Sequence, residues 1–204
     1  MKKGRFITFE GIDGAGKSTQ IDALESFLTA QGIEVVRSRE PGGTPVGEKI
    51  REMLLNDDMT VRTETLLFFA GRAEHVETKI KPALERGAWV LSDRFADATY
   101  AYQVGGKGFS SEETEALEAW TLKGFSPDMT VLFDLSPETA EKRRHVRAGE
   151  EDRFERENND FFKAVRNAYL DRAERNPDRF LTVDAGDTPE AIAAVIQSGV
   201  EKWL

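Results

Sequence analysis

The chain reads as a single α/β domain over residues 1–204: a five-stranded parallel sheet with helices on both faces. Three observations predict this. Short β-branched and aromatic runs alternate with stretches of helical periodicity along the whole length, the pattern of a parallel sheet wrapped by crossover helices. The first run feeds a glycine-rich turn that opens a helix. At 204 residues, the chain suits one α/β domain with a substantial core and is too short for two comfortable ones.

Residues 5–10 (Arg5-Phe6-Ile7-Thr8-Phe9-Glu10) form the first predicted strand. After the turn, Ile21, Leu24, Phe27 and Leu28 recur at helical spacing until Gly32. Residues 34–39 are the second strand, closed by Glu40-Pro41-Gly42-Gly43-Thr44, and residues 46–55 a short helix. Residues 63–85 read as one long helix that Pro82 kinks. Residues 88–92 are a buried strand delivering Asp93 and Arg94, and residues 104–108 carry too many glycines to be helical. A helix runs from Ser111 to near Gly124, residues 129–134 are the fourth strand, and Pro137 opens the next helix in its favoured first-turn position. Residues 141–157 are almost wholly charged. Helical periodicity returns over residues 161–174, followed by a fifth strand at 179–184 and a terminal helix from Pro189.

Gly11-Ile12-Asp13-Gly14-Ala15-Gly16-Lys17-Ser18, with Thr19 behind it, satisfies the G-x-x-x-x-G-K-[ST] pattern between a strand and a helix. Glycines let such a loop turn its N–H groups inward, and the helix N-terminus adds its positive dipole end, so the segment is a phosphate trap. Lys17 can reach the β- and γ-phosphates of a nucleoside triphosphate, and the Ser18 hydroxyl one Mg²⁺ position. A P-loop fold and binding of a nucleoside triphosphate with Mg²⁺ follow.

Acidic residues outnumber basic ones 37 to 28, a net charge of −9, which opposes nucleic acid or an anionic membrane as the main partner. The absence of cysteine excludes disulfides, zinc thiolates and a cysteine nucleophile. The first residues lack the apolar stretch of a signal peptide, and no apolar run is long enough to span a bilayer, so a cytoplasmic location is expected.

Sites in such sheets sit at the C-terminal strand ends. Two strands end in an acid able to hold Mg²⁺ through water, Asp93 and Asp134. Asp93 is favoured because Arg94 follows it, pairing a metal partner with a phosphate partner; Asp134 precedes Leu135-Ser136-Pro137 and suits a role at the start of a helix. No base-reading Asn-Lys-x-Asp segment of a GTPase exists, and no basic polymer-binding run. Small-molecule phosphotransfer remains, and its anionic acceptor needs cations: Arg39, Arg51, Arg72 and Arg94 are suitably placed. Arg72, four residues from Phe68 on a leucine-rich face, would be a costly buried charge without a partner.

Taken together, Phe9 through Gln20, Arg39-Glu40-Pro41-Gly42-Gly43-Thr44, Leu67-Phe68-Phe69-Ala70-Gly71-Arg72, Asp93-Arg94-Phe95 and Ala101-Tyr102-Gln103 resemble the thymidylate kinase family, from the first strand to the terminal helix. The resemblance implies phosphoryl transfer from ATP to dTMP with Mg²⁺, and a homodimer. It implies that Phe68 stacks on thymine and Arg72 bonds a thymine carbonyl. Thr99 and Gln103 would contact the base edge, and Tyr102 would pack where a ribose hydroxyl would clash. Arg39, Arg51 and Arg94 would surround the acceptor phosphate with Glu40 beside them, and Asp13 would lie near the sugar 3′-hydroxyl and Arg94.

The chain departs from the family at two points. Phe95 stands where Tyr or His is common, and Gly14 where some members carry a basic residue. In the family pattern, a mobile lid then supplies the missing cation, and residues 141–157 fit with Arg143, Arg144, Arg147 and Arg153. Arg143 and Arg147 are expected on ATP, and Arg153, then Arg147, at the transferred phosphoryl. Another nucleoside monophosphate kinase is the nearest alternative, but it leaves Glu40-Pro41-Gly42-Gly43 and the Phe68/Arg72 pair unexplained. A nucleotide-binding switch without a small acceptor leaves the acceptor arginines unexplained.

Overall fold

The computed structural model describes residues 3–146, 153–154 and 156–204. Five parallel strands form one sheet: β1 (Phe6–Glu10), β2 (Val35–Arg39), β3 (Trp89–Asp93), β4 (Met129–Asp134) and β5 (Phe180–Asp184), in the order β2-β3-β1-β4-β5. The central strand β1 is buried along its whole length, as its unbroken apolar and β-branched run requires. The five-stranded parallel sheet and its helices match the expected fold class.

Register decides what the sheet presents. Phe9 pairs with Asp93, and Arg39 also pairs with Asp93, so β1, β3 and β2 end at one level. The glycine-rich loop, Glu40 and Arg94 therefore emerge side by side. Alternate residues feed opposite faces: Phe6 and Val90 enter one buried cluster, and Ile7, Phe9 and Leu91 the other.

The helices are α1 (Lys17–Ala30), α2 (Pro45–Asn56), α3 (Val61–His75), α4 (Lys81–Glu85), α5 (Ala96–Thr99), α6 (Ser111–Leu122), α7 (Pro137–Val146), α8 (Asn159–Arg175) and α9 (Pro189–Glu201). Thr44, Thr60, Ser110, Asn158 and Thr188 cap α2, α3, α6, α8 and α9, each side chain accepting from a backbone N–H three residues on. Among the described residues no helix is long and apolar enough to cross a membrane.

Two expectations about the helices change. The long helix over 63–85 is α3 and α4 joined by a π-helical turn, Val76–Ile80, with Pro82 in the first turn of α4. The wider turn just before it makes room for the ring against the carbonyl of the preceding turn. Residues 104–108 are not simply a loop: Tyr100–Gly106 is π-helical. The glycines serve contact with α8. A Cβ on Gly106 would lie 2.4 Å from the Phe161 ring, and one on Gly105 2.5 Å from the Ala168 Cβ. The close approach buries Tyr102 and Gln103 beside the site.

Candidate active site

The loop from Gly11 to Ser18 follows β1 and ends where α1 begins at Lys17. Lys17 is only 5 % exposed; its Nζ donates to the carbonyls of Gly11 (3.0 Å) and Ile12 (3.2 Å) and lies 3.7 Å from Asp13 Oδ1. Burial, then the nearby Arg94, lowers its pKa from the ordinary lysine value. Ser18 and Thr19 are exposed at the start of α1. Gly14 has φ 91°, and a Cβ there would sit 2.7 Å from the Ala140 carbonyl of α7, so the backbone itself refuses a side chain.

Beside the loop, a pocket encloses about 520 Å³ of non-atom space, part of it open solvent. Asp13, Glu40, Arg51, Phe68, Arg72, Arg94, Tyr102 and Gln103, all anticipated from sequence, line it together with Phe154. Arg72 is 1 % exposed and fully engaged on one side. Its Nε donates to Glu40 Oε2 at 2.8 Å, and its Nη2 to the Phe95 carbonyl (3.0 Å) and Thr99 Oγ1 (3.1 Å). Its Nη1 is buried without a hydrogen-bond partner among the described residues. Behind it, Glu40 Oε1 meets His75 Nδ1 at 2.9 Å, and His75 Nε2 lies 2.6 Å from Ser38 Oγ. The cation is thus compensated by Glu40 while one of its donors is left without a partner among the described residues.

Arg94 follows β3 in a left-handed conformation (φ 70°), a strained geometry for a non-glycine residue. Its Nη2 donates to Asp13 Oδ2 and Tyr102 Oη, both at 2.9 Å. Burial opposes its charge, but Asp13, then Tyr102, hold its pKa well above the ordinary value. Burial also pushes the Tyr102 hydroxyl up. Beneath them, Glu10 accepts from the Phe95 N–H (2.7 Å) and Tyr169 Oη (2.8 Å); burial, then Asp97, pushes its carboxyl up to about 8.

Two residues expected at the site do not line this pocket. Thr99 does not line the pocket: it is buried behind it, holding Arg72. Arg39 is turned outward, its Nη2 paired with Glu48 at 2.9 Å on an exposed surface. Phe95 is fully buried, edge-on to Phe6 at 4.9 Å between ring centroids, so its apolar ring belongs to the core.

Of the arginines expected in a lid, Arg143 Nη1 donates to the Ala185 carbonyl at 2.9 Å, and Arg144 Nη1 to the Asp13 carbonyl at 3.1 Å. Arg144, expected in the same charged stretch but given no individual role there, is thereby bonded to the glycine-rich loop. Arg147 lies outside the described residues. Arg153, expected at the transferred phosphoryl, is paired with the buried Glu64 of α3. Phe154 closes the pocket wall, its ring centroid 6.2 Å from those of Phe68 and Tyr102.

The two candidate metal acids also separate. Asp134 is held by both Nε (2.6 Å) and Nη2 (2.9 Å) of Arg166, a role not foreseen. Asp93 keeps Oδ1 buried without a hydrogen-bond partner among the described residues, level with the end of β1.

A phosphate-cradling loop, a buried lysine and an adjoining cation-lined pocket at aligned strand ends define a P-loop protein of the nucleotide-binding α/β class. A family model described as thymidylate kinase matches residues 9–196. The thymidylate kinase of Methylobacillus flagellatus is 55 % identical over 92 % of this chain and 91 % of its own. That of Nitrosomonas eutropha is 52 % identical over 100 % of this chain and 95 % of its own. The crystal structure of thymidylate kinase from Ehrlichia chaffeensis superposes with a TM-score of 0.78 at 31 % identity, covering 97 % of this chain and 98 % of that one. The chain belongs to the thymidylate kinase family.

Proposed function

We propose that the protein transfers the γ-phosphoryl group of ATP to dTMP, giving dTDP and ADP. The observation that carries this is the Arg72 side chain: its charge is neutralised by Glu40, its Nη1 has no hydrogen-bond partner among the described residues, and Arg72 lines the pocket together with Phe68. A planar base with a carbonyl at its edge suits both the ring and the donor.

A phosphate monoester is already largely dianionic near neutral pH, its second pKa being about 6, so the acceptor needs no general base. The work is to hold two polyanions in line and neutralise the moving charge. Lys17 serves the donor phosphates. Arg94, fixed by Asp13 and Tyr102, spans to the acceptor phosphate with Arg51. Arg144 supports the loop through the Asp13 carbonyl. Tyr102 occupies the sugar side and disfavours a ribose hydroxyl. Asp93 Oδ1 and the Ser18 hydroxyl, hard oxygen donors at the end of the loop, fit Mg²⁺. When bound, the ion neutralises phosphate charge.

We further propose a homodimer. Leu66 on α3 and Trp120 on α6 are 49 % and 77 % exposed. With Phe109 and Leu117 nearby, they make an apolar surface that a second copy would cover.

A coupled assay of ATP turnover against a panel of nucleoside monophosphates tests the reaction: dTMP should stimulate it more than any other. Stimulation by another monophosphate, or by none, would overturn the reading. Light scattering tests the assembly, with Trp120→Glu expected to halve the mass of a dimer; a monomeric unaltered protein would remove that proposal.

A further inference from the structure

Glu64 is fully buried on α3 and has no part in the mechanism above. Four described groups converge on its carboxylate or lean on those that do. Gln103 Nε2 donates to Oε1 at 2.9 Å. Lys107 Nζ, just past the π-helical turn, reaches Oε1 at 3.0 Å and Oε2 at 2.8 Å. Arg153 donates to Oε2. The Phe154 ring then lies under both cations, 4.7 Å from Lys107 Nζ and 5.0 Å from the Arg153 guanidinium carbon.

We infer that Glu64 is a positioning residue for the acceptor, one carboxylate setting both the amide that reads the base and the wall opposite it. The inference rests on the proposed dTMP reaction and deepens it. A carboxylate only accepts, so it commits the Gln103 amide nitrogen to itself and leaves the acceptor oxygen Oε1 for the pocket. An acceptor there suits a pyrimidine with a ring N–H, and disfavours one whose ring nitrogen is itself an acceptor. The same charge holds Arg153, and with it Phe154 across from Phe68. Arg153 therefore acts on acceptor binding, from the opposite side to the donor phosphates.

The test is a double-mutant cycle with Glu64→Gln and Arg153→Gln, reading KM for dTMP and ATP and the preference for dTMP over dCMP. Each single change should raise the dTMP KM about tenfold, leave the ATP KM within about twofold, and the pair should cost little more than either alone. Glu64→Gln should also narrow the dTMP/dCMP preference. Additive losses, an unchanged dTMP KM, or equal losses on both substrates would overturn the inference. Should Glu64→Gln fail to fold, Arg153→Gln decides alone: a loss in kcat or in ATP KM with the dTMP KM unchanged marks a donor-side cation and refutes it. If the unaltered protein shows no dTMP-dependent turnover, the proposed function falls and takes this inference with it; normal dTMP turnover with an additive cycle removes this inference only.

Discussion

Arg72→Met exposes how far the acceptor pocket rests on one buried ion pair. The substitution keeps an unbranched side chain of similar reach but removes the charge. Glu40 loses its 2.8 Å partner, and the Phe95 carbonyl and Thr99 hydroxyl lose theirs at 3.0 and 3.1 Å. Glu40 then stays buried with its side chain bonded, among the described residues, to His75 alone. Breaking one side of a buried pair typically costs about 3–5 kcal/mol, because the surviving charge is left uncompensated. In a protein of this size, that corresponds to a fall in Tm on the order of 10 °C. Urea unfolding followed by far-ultraviolet circular dichroism measures the loss, and thermal melts check it. Replacing both members, Arg72→Met with Glu40→Met, removes the stranded carboxylate and should recover part of the stability. A loss below about 1 kcal/mol for the single change, or a double change as costly as the sum of its parts, would refute a buried pair at this position.

Lys17→Ala should abolish most turnover with an unchanged circular dichroism spectrum, and retained turnover would remove the lysine from the donor site. Tyr102→Ala should narrow the gap between dTMP and its ribose counterpart in kcat/KM, which an unchanged ratio would contradict. Gly106→Ala drives a Cβ to 2.4 Å from the Phe161 ring. A stability loss of about 1–3 kcal/mol is expected from such overpacking, read as a lower urea midpoint. The Glu10 carboxyl is raised on folding from 4.5 to about 8, so its folded form binds the proton more tightly than its unfolded form. Its contribution is complete below pH 4.5 and is lost as pH rises towards 8. Glu10→Gln should flatten stability over that window, and an unaltered pH slope would show that Glu10 does not titrate there.

The sheet was legible because each strand is a short apolar run bounded by turn residues, and the glycine-rich loop because its spacing is itself the mechanism. Asp13 and Arg94 could be named from their places just past strand ends, whereas Phe68, Tyr102 and Gln103 were named from the family resemblance. What stayed hidden depended on pairing across long separations. Glu64 looks like any acid in the first turn of a helix until Gln103, Lys107 and Arg153 are brought to it. Asp97 likewise carries no local signal, yet Arg172 and Arg179 bind it from α8 and the start of β5. Burial raises its pKa, but Arg179 and Arg172 together keep it below the ordinary value. Gly105 and Gly106 were read as breakers because periodicity does not distinguish a glycine that frees the backbone from one that admits a neighbour. The Thr99 hydroxyl likewise bonds Arg72 across 27 residues, a pairing that no local pattern displays.

The contact of Gly14 with Ala140 has a consequence for exchanging parts between relatives. The backbone of α7 leaves no room for a side chain on Gly14, so position 14 and the segment around Ala140 constrain each other sterically. An arginine transplanted into the loop alone would collide with a main-chain oxygen that no rotamer can move. A chimaera would therefore have to carry α7 along with the loop, and a screen of loop substitutions at fixed α7 should recover glycine at this position.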